Sequence, residues 1–268
     1  MLGIGKSKIL KAIKIKNSEI NYMPDALKKN TEAFETLKPA TTRWIAPVVR
    51  WSVWKDDASN LASPGVSFVE STLRRKLSPL AKISLKAAND CAGDTACVHL
   101  VYASRHGDLD RTTAMLVDLA DEEQLSPTAF SMSVLNAFAE VYSISKNEQL
   151  PSTSLSAGES SFGFGLLEAC LQLASNPEIP VLFVYSDEPA PRIYGVPKEA
   201  FVPHAIAVLL SNEASIKVGC EMADSGTVGS ETSSDTNLQS YSFLDCLNGT
   251  HSQWQGEGRV WSWSRHES

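Results

Sequence analysis

The sequence predicts an α/β domain in which a mostly parallel sheet carries helices on both faces. Short apolar runs typical of buried strands alternate along the chain with longer stretches of helical periodicity, which is the pattern of strand–helix–strand units. The 268 residues are 43% hydrophobic and 21% charged, a composition typical of a folded protein with a large core. We therefore expect one large domain at residues 41–268.

Residues 1–40 predict a basic amino-terminal extension in which isoleucine and leucine are interleaved with lysine. Residues 1–17 would suit a short amphipathic helix on anionic lipid, but a solvated extension is the favoured interpretation. No apolar run reaches the roughly 18 residues of a membrane span, and no secretory signal is evident. These features predict a cytoplasmic protein.

The first half of the domain predicts two strands and two helices. Residues 48–54 alternate with a period of two, as a strand does, and residues 71–91 show the spacing of a helix. Residues 96–103 form a short apolar run that suits a buried parallel strand. Residues 109–120 again have helical periodicity.

The second half continues the alternation and adds a loop. Ser126 and Pro127 suit the start of a helix, because serine caps well and proline fits the first turn. Further strands are predicted at 152–156, 181–185, 205–210 and 259–263, with a helix at 162–174. Residues 225–240, rich in Ser, Thr, Gly and Asp, predict a mobile loop.

Charge and cysteine content exclude several functional classes. The net charge of −7 and the pI of about 5.3 give no support to nucleic-acid binding. The five cysteines are odd in number and contain no CxxC pair, so neither a disulfide framework nor a zinc site is indicated. We expect free thiols, no metal and no cofactor.

The segment 126–175 carries the strongest functional signal. Its order is helix, loop, strand, a sharp turn of small residues, and a helix that begins near Ser160. Backbone N–H groups and the helix dipole at such a turn favour developing negative charge. Nucleophile elbows of α/β enzymes lie at this kind of junction.

Four separated motifs, in the family's order, resemble the ketosynthase (thiolase-like) family. They are LRRKLSPL at 73–80, YASRHGDL at 102–109, SVLNA at 133–137 and the strand and elbow at 152–165. The stretch at 133–137 resembles the family's helix before the elbow. The resemblance covers about residues 45–215 and is to the ketosynthase-like N-terminal-domain proteins of aryl-polyene and related type II polyketide systems. It implies a thiolase-like half fold with a mixed, mostly parallel five-stranded sheet and helices on both faces.

The catalytic pattern of that family is broken here. Aligning the family's elbow glycine with Gly165 places the nucleophile at Ala157, which cannot form an acyl thioester. Cys170 is expected to pack inside a helix. The family's two catalytic histidines belong to a second half that this sequence does not match, and the histidines of the aligned region lack their motifs. We expect His99 to lie in the core and His106 to make mainly a structural contact. We expect no catalytic role for His204.

The resemblance therefore implies a non-catalytic chain-length factor. Such a subunit pairs as a heterodimer with an active β-ketoacyl-acyl-carrier-protein synthase and shapes its acyl tunnel, here in aryl-polyene or fatty-acid-like biosynthesis. The tunnel-wall candidates are Val134, Leu135 and Phe138, with ordinary helix core as the alternative. The candidate dimer strand is Ser152, Thr153, Ser154, Leu155 and Ser156. A half fold would also leave one sheet face poorly covered, which favours pairing.

Two further interpretations stay open. Arg74, Arg75 and Lys76, on one helix, would suit docking of an acidic acyl carrier protein, although a solvated face is favoured.

The alternative function is an independent acyltransferase or a serine hydrolase using Ser160, because residues 158–162 nearly match G-x-S-x-G. Phe162 replaces the final glycine, and capping of the helix is the simpler role for Ser160.

Overall fold

The computed structural model describes residues 41–55, 64–195, 201–225 and 238–267. The predicted extension at 1–40 and most of the predicted loop at 225–240 lie outside these ranges. At the end of that loop the prediction is wrong, because Leu238 is buried and a helix begins at Gln239.

Eight strands and seven α-helices make up the described chain. The strands are β1 (Thr42–Lys55), β2 (His99–Ala103), β3 (Ser152–Leu155), β4 (Val181–Asp187), β5 (His204–Leu210), β6 (Ile216–Asp224), β7 (His251–Gly256) and β8 (Arg259–Glu267). The helices are α1 (Ser71–Arg74), α2 (Pro79–Ala92), α3 (Leu109–Ala120), α4 (Pro127–Ser131), α5 (Ala137–Lys146), α6 (Ser161–Ser175) and α7 (Gln239–Asn248). Short 3-10 turns lie at Gly158–Ser160 and Arg192–Tyr194.

One mixed sheet runs in the order β3-β2-β4-β5-β1-β6-β8-β7. Of its seven pairings, only β2 with β3 and β2 with β4 are parallel. The α/β class is confirmed, but the prediction of five strands in a mostly parallel sheet is wrong. The missed strands β6 and β7 mix small, polar and apolar residues (IKVGCEMAD and HSQWQG), so they lack the continuous apolar run that marks a parallel strand.

The predicted helix at 71–91 is interrupted. Helix α1 ends at Arg74, and α2 begins at Pro79 with the Ser78 hydroxyl accepting a hydrogen bond from the Ala81 N–H at 3.1 Å. Proline cannot donate to a preceding turn but suits the first turn of a new helix. The interruption therefore follows from a residue that the sequence already displays.

The face of the sheet that carries α6 and α7 has three buried tryptophans in its core. Trp254, Trp261 and Trp263 from β7 and β8 belong to the buried core of this face. A Cβ on Gly163 of α6 would stand 2.5 Å from the Trp261 ring, so only glycine allows this approach. The expectation of a poorly covered face is wrong for this side, because α6 and α7 pack on it and the tryptophans of the carboxy-terminal hairpin extend its apolar core.

The opposite face is covered by α2 and α5. Their apolar side chains pack on alternate residues of the central strands, among them Leu100, Tyr102, Leu182 and Leu209. The two cores together confirm that helices lie on both faces of the sheet. Within the described residues, no helix is long and apolar enough to cross a membrane.

Candidate functional site

The elbow lies at the carboxyl end of the edge strand β3, where sequence reasoning placed it. Ala157 is half-buried, and its N–H donates to the Ser161 hydroxyl at 2.8 Å. That hydroxyl in turn donates to the Gly158 carbonyl at 2.7 Å. Gly158 has a φ of +59°, a conformation that favours glycine. The strand and the helix are therefore joined by a sharp turn, and Ala157, the position expected for the nucleophile, carries only a methyl group.

A carboxylate of the chain itself occupies the next two amides of the elbow. The Glu159 N–H donates to Glu257 Oε1 at 3.0 Å, and the Ser160 N–H donates to Glu257 Oε2 at 3.3 Å. Glu257 lies in the turn between β7 and β8. Since a helix amino end attracts negative charge, this contact fills the position where an external anion would bind.

Sequence reasoning did not identify Glu257. The available signal was the dipeptide Glu257-Gly258 between two segments of strand character, where both residues have positive φ values of 51° and 74°. In such two-residue hairpin turns, asparagine or aspartate is common at the position that Glu257 occupies here. The longer side chain reaches the elbow.

Ser160 has no geometry for nucleophilic catalysis. The residue is fully buried, and its hydroxyl has no hydrogen-bond partner among the described residues. His204 instead lies 3.0 Å from the Ser240 hydroxyl through Nε2, and both residues are buried. Burial lowers the pKa of His204 to about 4. The described structure therefore gives the hydrolase alternative no supporting contact.

The other candidate reactive residues differ in burial and surroundings. Cys170 lies on α6 and packs against the core of that face of the sheet, and burial raises the pKa of its thiol to about 12. His99 is buried in the first position of β2. His106 lies in the turn after β2 and is exposed overall, but partial burial of its ring, and to a lesser degree the Arg105 charge, lower its pKa. Among the ranges that the structure describes, no group of three or more His, Cys, Asp or Glu side chains could hold a metal ion.

The three wall candidates line one pocket, which we call the wall pocket. Its lining comes from α2, β2, the turn after β2, α3, the turn after α4, and α5. It includes Leu80, Leu85, Tyr102, Met132, Val134, Leu135, Phe138 and Val141. Val134 and Leu135 lie in the turn between α4 and α5, so the expected helix over 133–137 is wrong for these positions. The Asp108–Arg111 ion pair, with 3.0 Å between Oδ2 and Nε, adds charged groups to this lining.

Phe138 has a fixed place in the wall pocket. It is 6% exposed, and its ring centroid lies 4.4 Å from that of Tyr102. The Tyr102 hydroxyl is 2.8 Å from the Ser186 hydroxyl. One ring is packed and the other is hydrogen-bonded, and both contacts hold this part of the wall in place.

The candidate dimer strand forms one end of the sheet. Strand β3 pairs with β2 alone, from Ser152 opposite Leu100 to Leu155 opposite Ala103. Thr153, Ser154 and Leu155 are half-buried, and Ser156 follows the strand with its hydroxyl donating to the Arg105 carbonyl at 2.8 Å. In the described structure, the outer edge of β3 is paired with no other strand.

The candidate carrier-docking residues do not lie on one helix. Arg74 is half-buried in the last turn of α1, whereas Arg75 and Lys76 follow it and are exposed. The predicted single helix is wrong here because of the interruption before Pro79. The Lys76 carbonyl accepts a hydrogen bond from Arg111 Nη2 at 2.9 Å, which ties this turn to α3.

Comparison with known proteins gives a consistent family. A family model described as the N-terminal domain of β-ketoacyl synthases matches residues 50–264. No curated protein matches the chain. The chain is also similar to a chain in the complex of a ketosynthase (ApeO) with its chain length factor (ApeC) from Xenorhabdus doucetiae. That match has 26% identity and a TM-score of 0.68, and it covers 86% of this chain and 100% of the other.

Two further structures are more distant. The ishigamide ketosynthase/chain length factor matches at 14% identity and a TM-score of 0.47, over 65% of each chain. A β-ketoacyl synthase from Burkholderia phymatum STM815 matches at 13% identity and a TM-score of 0.48, over 59% of this chain and 50% of the other. Similarity at this level supports no inference about function.

Proposed function

The chain belongs to the family of β-ketoacyl synthase N-terminal domains, and we propose that within this family it is a non-catalytic chain-length factor. In this role it pairs with an active β-ketoacyl-acyl-carrier-protein synthase and shapes the acyl tunnel of the pair. The observation that carries the proposal is Ala157 at the apex of the elbow. A methyl group provides no atom for thioester formation, so this chain contributes shape instead of a covalent intermediate.

The environment of the elbow supports the same conclusion. An elbow stabilises a developing oxyanion with free N–H donors. Here the Ala157 N–H is bonded to Ser161, and the Glu159 and Ser160 N–H groups are bonded to Glu257. Restoring a thiol alone would therefore leave three of these donors already engaged.

The wall pocket supports a role in tunnel shape. Three residues that the family resemblance singled out, Val134, Leu135 and Phe138, line the same largely apolar pocket. In the isolated chain this pocket has a volume of only about 30 Å³, so an acyl chain would contact its wall only in a tunnel that the partner subunit completes. Each methylene buried there would contribute about 0.8 kcal/mol. The alternative, ordinary core packing, does not account for Val134, which is 41% exposed.

Pairing is supported by an open strand edge and by two helices with exposed apolar side chains. The outer edge of β3 offers backbone hydrogen-bonding groups to a partner strand. Helices α3 and α4 have no fully buried residue, and the exposed apolar side chains on them include Leu119 at 58% and Phe130 at 62%. Exposed apolar side chains on two helices that contact each other are a common feature of protein interfaces. We assign it to the catalytic ketosynthase subunit in a heterodimer.

Arg75 and Lys76 are the proposed contacts for an acyl carrier protein. Both side chains are exposed beside α3, and carrier docking is expected to depend on charge and to weaken with salt. Charge reversal at both positions should slow transfer from the carrier. It should leave subunit pairing unchanged.

The proposal is tested by co-expression with a candidate ketosynthase that has an intact Cys-His-His site. We expect a stable complex and product formation only when both subunits are present. An acyl-thioester substrate should label the ketosynthase and leave this chain unlabelled. Substrate-derived acyl groups on the isolated chain would contradict a non-catalytic role.

A matched pair of variants tests the pairing surface. Phe130→Asp places a charge on the exposed face of α4 and should abolish co-purification. Leu171→Asp makes the same change at a residue of α6 that is 55% exposed and should leave pairing intact. Equal loss or equal retention of the complex in both variants would reject this surface.

A further inference from the structure

The hairpin of β7 and β8 contacts the elbow and the start of α6 at three successive points. Glu257, in the hairpin turn, accepts hydrogen bonds from two amides of the elbow. Two residues further on, the Arg259 guanidinium lies over the Phe164 ring, 5.6 Å from its centroid. Trp261 contacts Phe164 edge to face, with 5.1 Å between the ring centroids. The hairpin therefore holds the junction between the elbow and α6 from outside the local sequence.

The backbone at Glu257 has an uncommon conformation. Its φ of 51° lies in the left-handed region, which glutamate rarely adopts. Residues with such backbone persist where the surrounding structure fixes them, and they cluster at functional positions. The neighbouring Gly258 carbonyl accepts a hydrogen bond from the Ser225 N–H at 2.9 Å, so the turn is also anchored to the end of β6. This conformation is an observation on Glu257 that is independent of its contact with the elbow.

The elbow depends on Glu257 most strongly at the Glu159 amide. That N–H donates to Glu257 Oε1 at 3.0 Å, whereas the Ser160 N–H is shared between Glu257 Oε2 at 3.3 Å and the Ala157 carbonyl at 3.2 Å. Amides that precede a helix lack acceptors within it and favour a carboxylate. The elbow begins directly after β3, so loss of this carboxylate would loosen the segment next to the open strand edge.

We propose that Glu257 is a positioning residue for subunit pairing, which holds the elbow in the conformation that the ketosynthase subunit contacts beside β3. The inference rests on the proposed function for the identity of the partner. A segment that is ordered before association binds more tightly, because its ordering cost is not incurred on binding. Glu257 acts through the elbow and requires no contact of its own with the partner.

The first test replaces the missing carboxylate with a small anion and needs no partner. In the ¹⁵N-labelled full chain carrying Glu257→Ala, formate should cause a saturable NMR shift of the Glu159 amide, because the vacated N–H groups favour an anion. The wild type should show no such shift, since its own carboxylate fills the position. Glu213→Ala, which removes an exposed glutamate from the turn between β5 and β6, should behave as the wild type does. No saturable shift in Glu257→Ala, or an equal shift in the wild type, would overturn the proposal.

The second test measures the affinity of each variant for the ketosynthase subunit. Glu257→Ala should weaken pairing at least about tenfold, and formate should restore it. Glu257→Gln keeps one acceptor and fills the space, so it should weaken pairing less, and formate should have no effect on it. Glu213→Ala should pair as the wild type does.

Three outcomes would contradict the positioning role or separate it from the proposed function. Wild-type affinity in Glu257→Ala, or a loss that formate does not reverse, would refute the role. If Glu257→Ala does not fold, wild-type affinity in Glu257→Gln would refute it instead. If the wild-type chain pairs with no ketosynthase, the proposed function fails, whereas the formate titration still decides whether Glu257 holds the elbow.

Discussion

Replacing Leu135 by alanine is expected to lengthen the products of the reconstituted pair. Leu135 is half-buried in the wall pocket, and its Cδ1 packs against the turn at Gly107, where a Cβ would come within 3.4 Å. Truncation to a methyl group removes wall volume without removing a hydrogen bond. Phe138→Leu enlarges the same pocket from α5.

The expected magnitude follows from burial. A two-carbon extension buries two methylenes, about 1.6 kcal/mol at ~0.8 kcal/mol each, which corresponds to roughly a fifteenfold change in the ratio of successive chain lengths. Leu→Ala in a core costs about 2–5 kcal/mol, and half-burial places Leu135 near the lower limit. The chain should therefore remain folded, because domains of this kind have about 5–15 kcal/mol of stability.

The assay is product mass analysis of the complex at matched subunit concentrations. The control is Ile144→Ala, on α5 but 70% exposed and outside the wall pocket, which should leave the distribution unchanged. If Leu135→Ala and Phe138→Leu both give wild-type lengths while pairing normally, the wall assignment is wrong. A shift of equal size in the Ile144 control would also reject the reasoning.

Three further predictions concern the isolated chain and are measured by urea unfolding or thiol labelling. Gly158→Ala should lower the free energy of unfolding by about 1–2 kcal/mol for the positive φ, and by a further amount because its Cβ would collide with the Glu257 carboxylate. In a Glu257→Ala background only the cost of the positive φ should remain. An equal loss of stability in both backgrounds would contradict the contact. Burial raises the pKa of Glu188 to about 8 in the folded chain, from an ordinary value of 4.5. Between these two pH values the folded chain keeps the Glu188 proton, whereas the unfolded chain has released it. The contribution of Glu188 to stability is therefore fully present below about pH 4.5 and should fall by about 2 kcal/mol between pH 6.5 and 8; Glu188→Gln should abolish this fall, and a wild-type slope in the variant would refute the assignment. Cys97 is the exposed cysteine and the others are buried or half-buried, so labelling should detect one fast thiol that disappears in Cys97→Ser; several fast thiols would contradict the packing.

The elements predicted well from sequence are those with strong local signals. The run at 181–185 is apolar throughout and is the fully buried strand β4, and Leu109–Ala120 is a helix with the predicted bounds. The position of the elbow was also predictable, because small residues between a strand and a helical stretch specify a turn. The strands β6 and β7 were not predicted, because small, polar and apolar residues are mixed along them and their places depend on antiparallel neighbours.

The sequence by itself determined the class of fold and the strand–turn–helix segment that contains Ala157, since each depends on residues close together along the chain. The tertiary structure alone decided which groups surround that elbow. Glu257 reaches the amides of Glu159 and Ser160 from 98 and 97 residues away, and Gln239 meets Gly163 across 76 residues. Such contacts depend on the order of strands in the sheet, and periodicity over a few residues carries no information about that order.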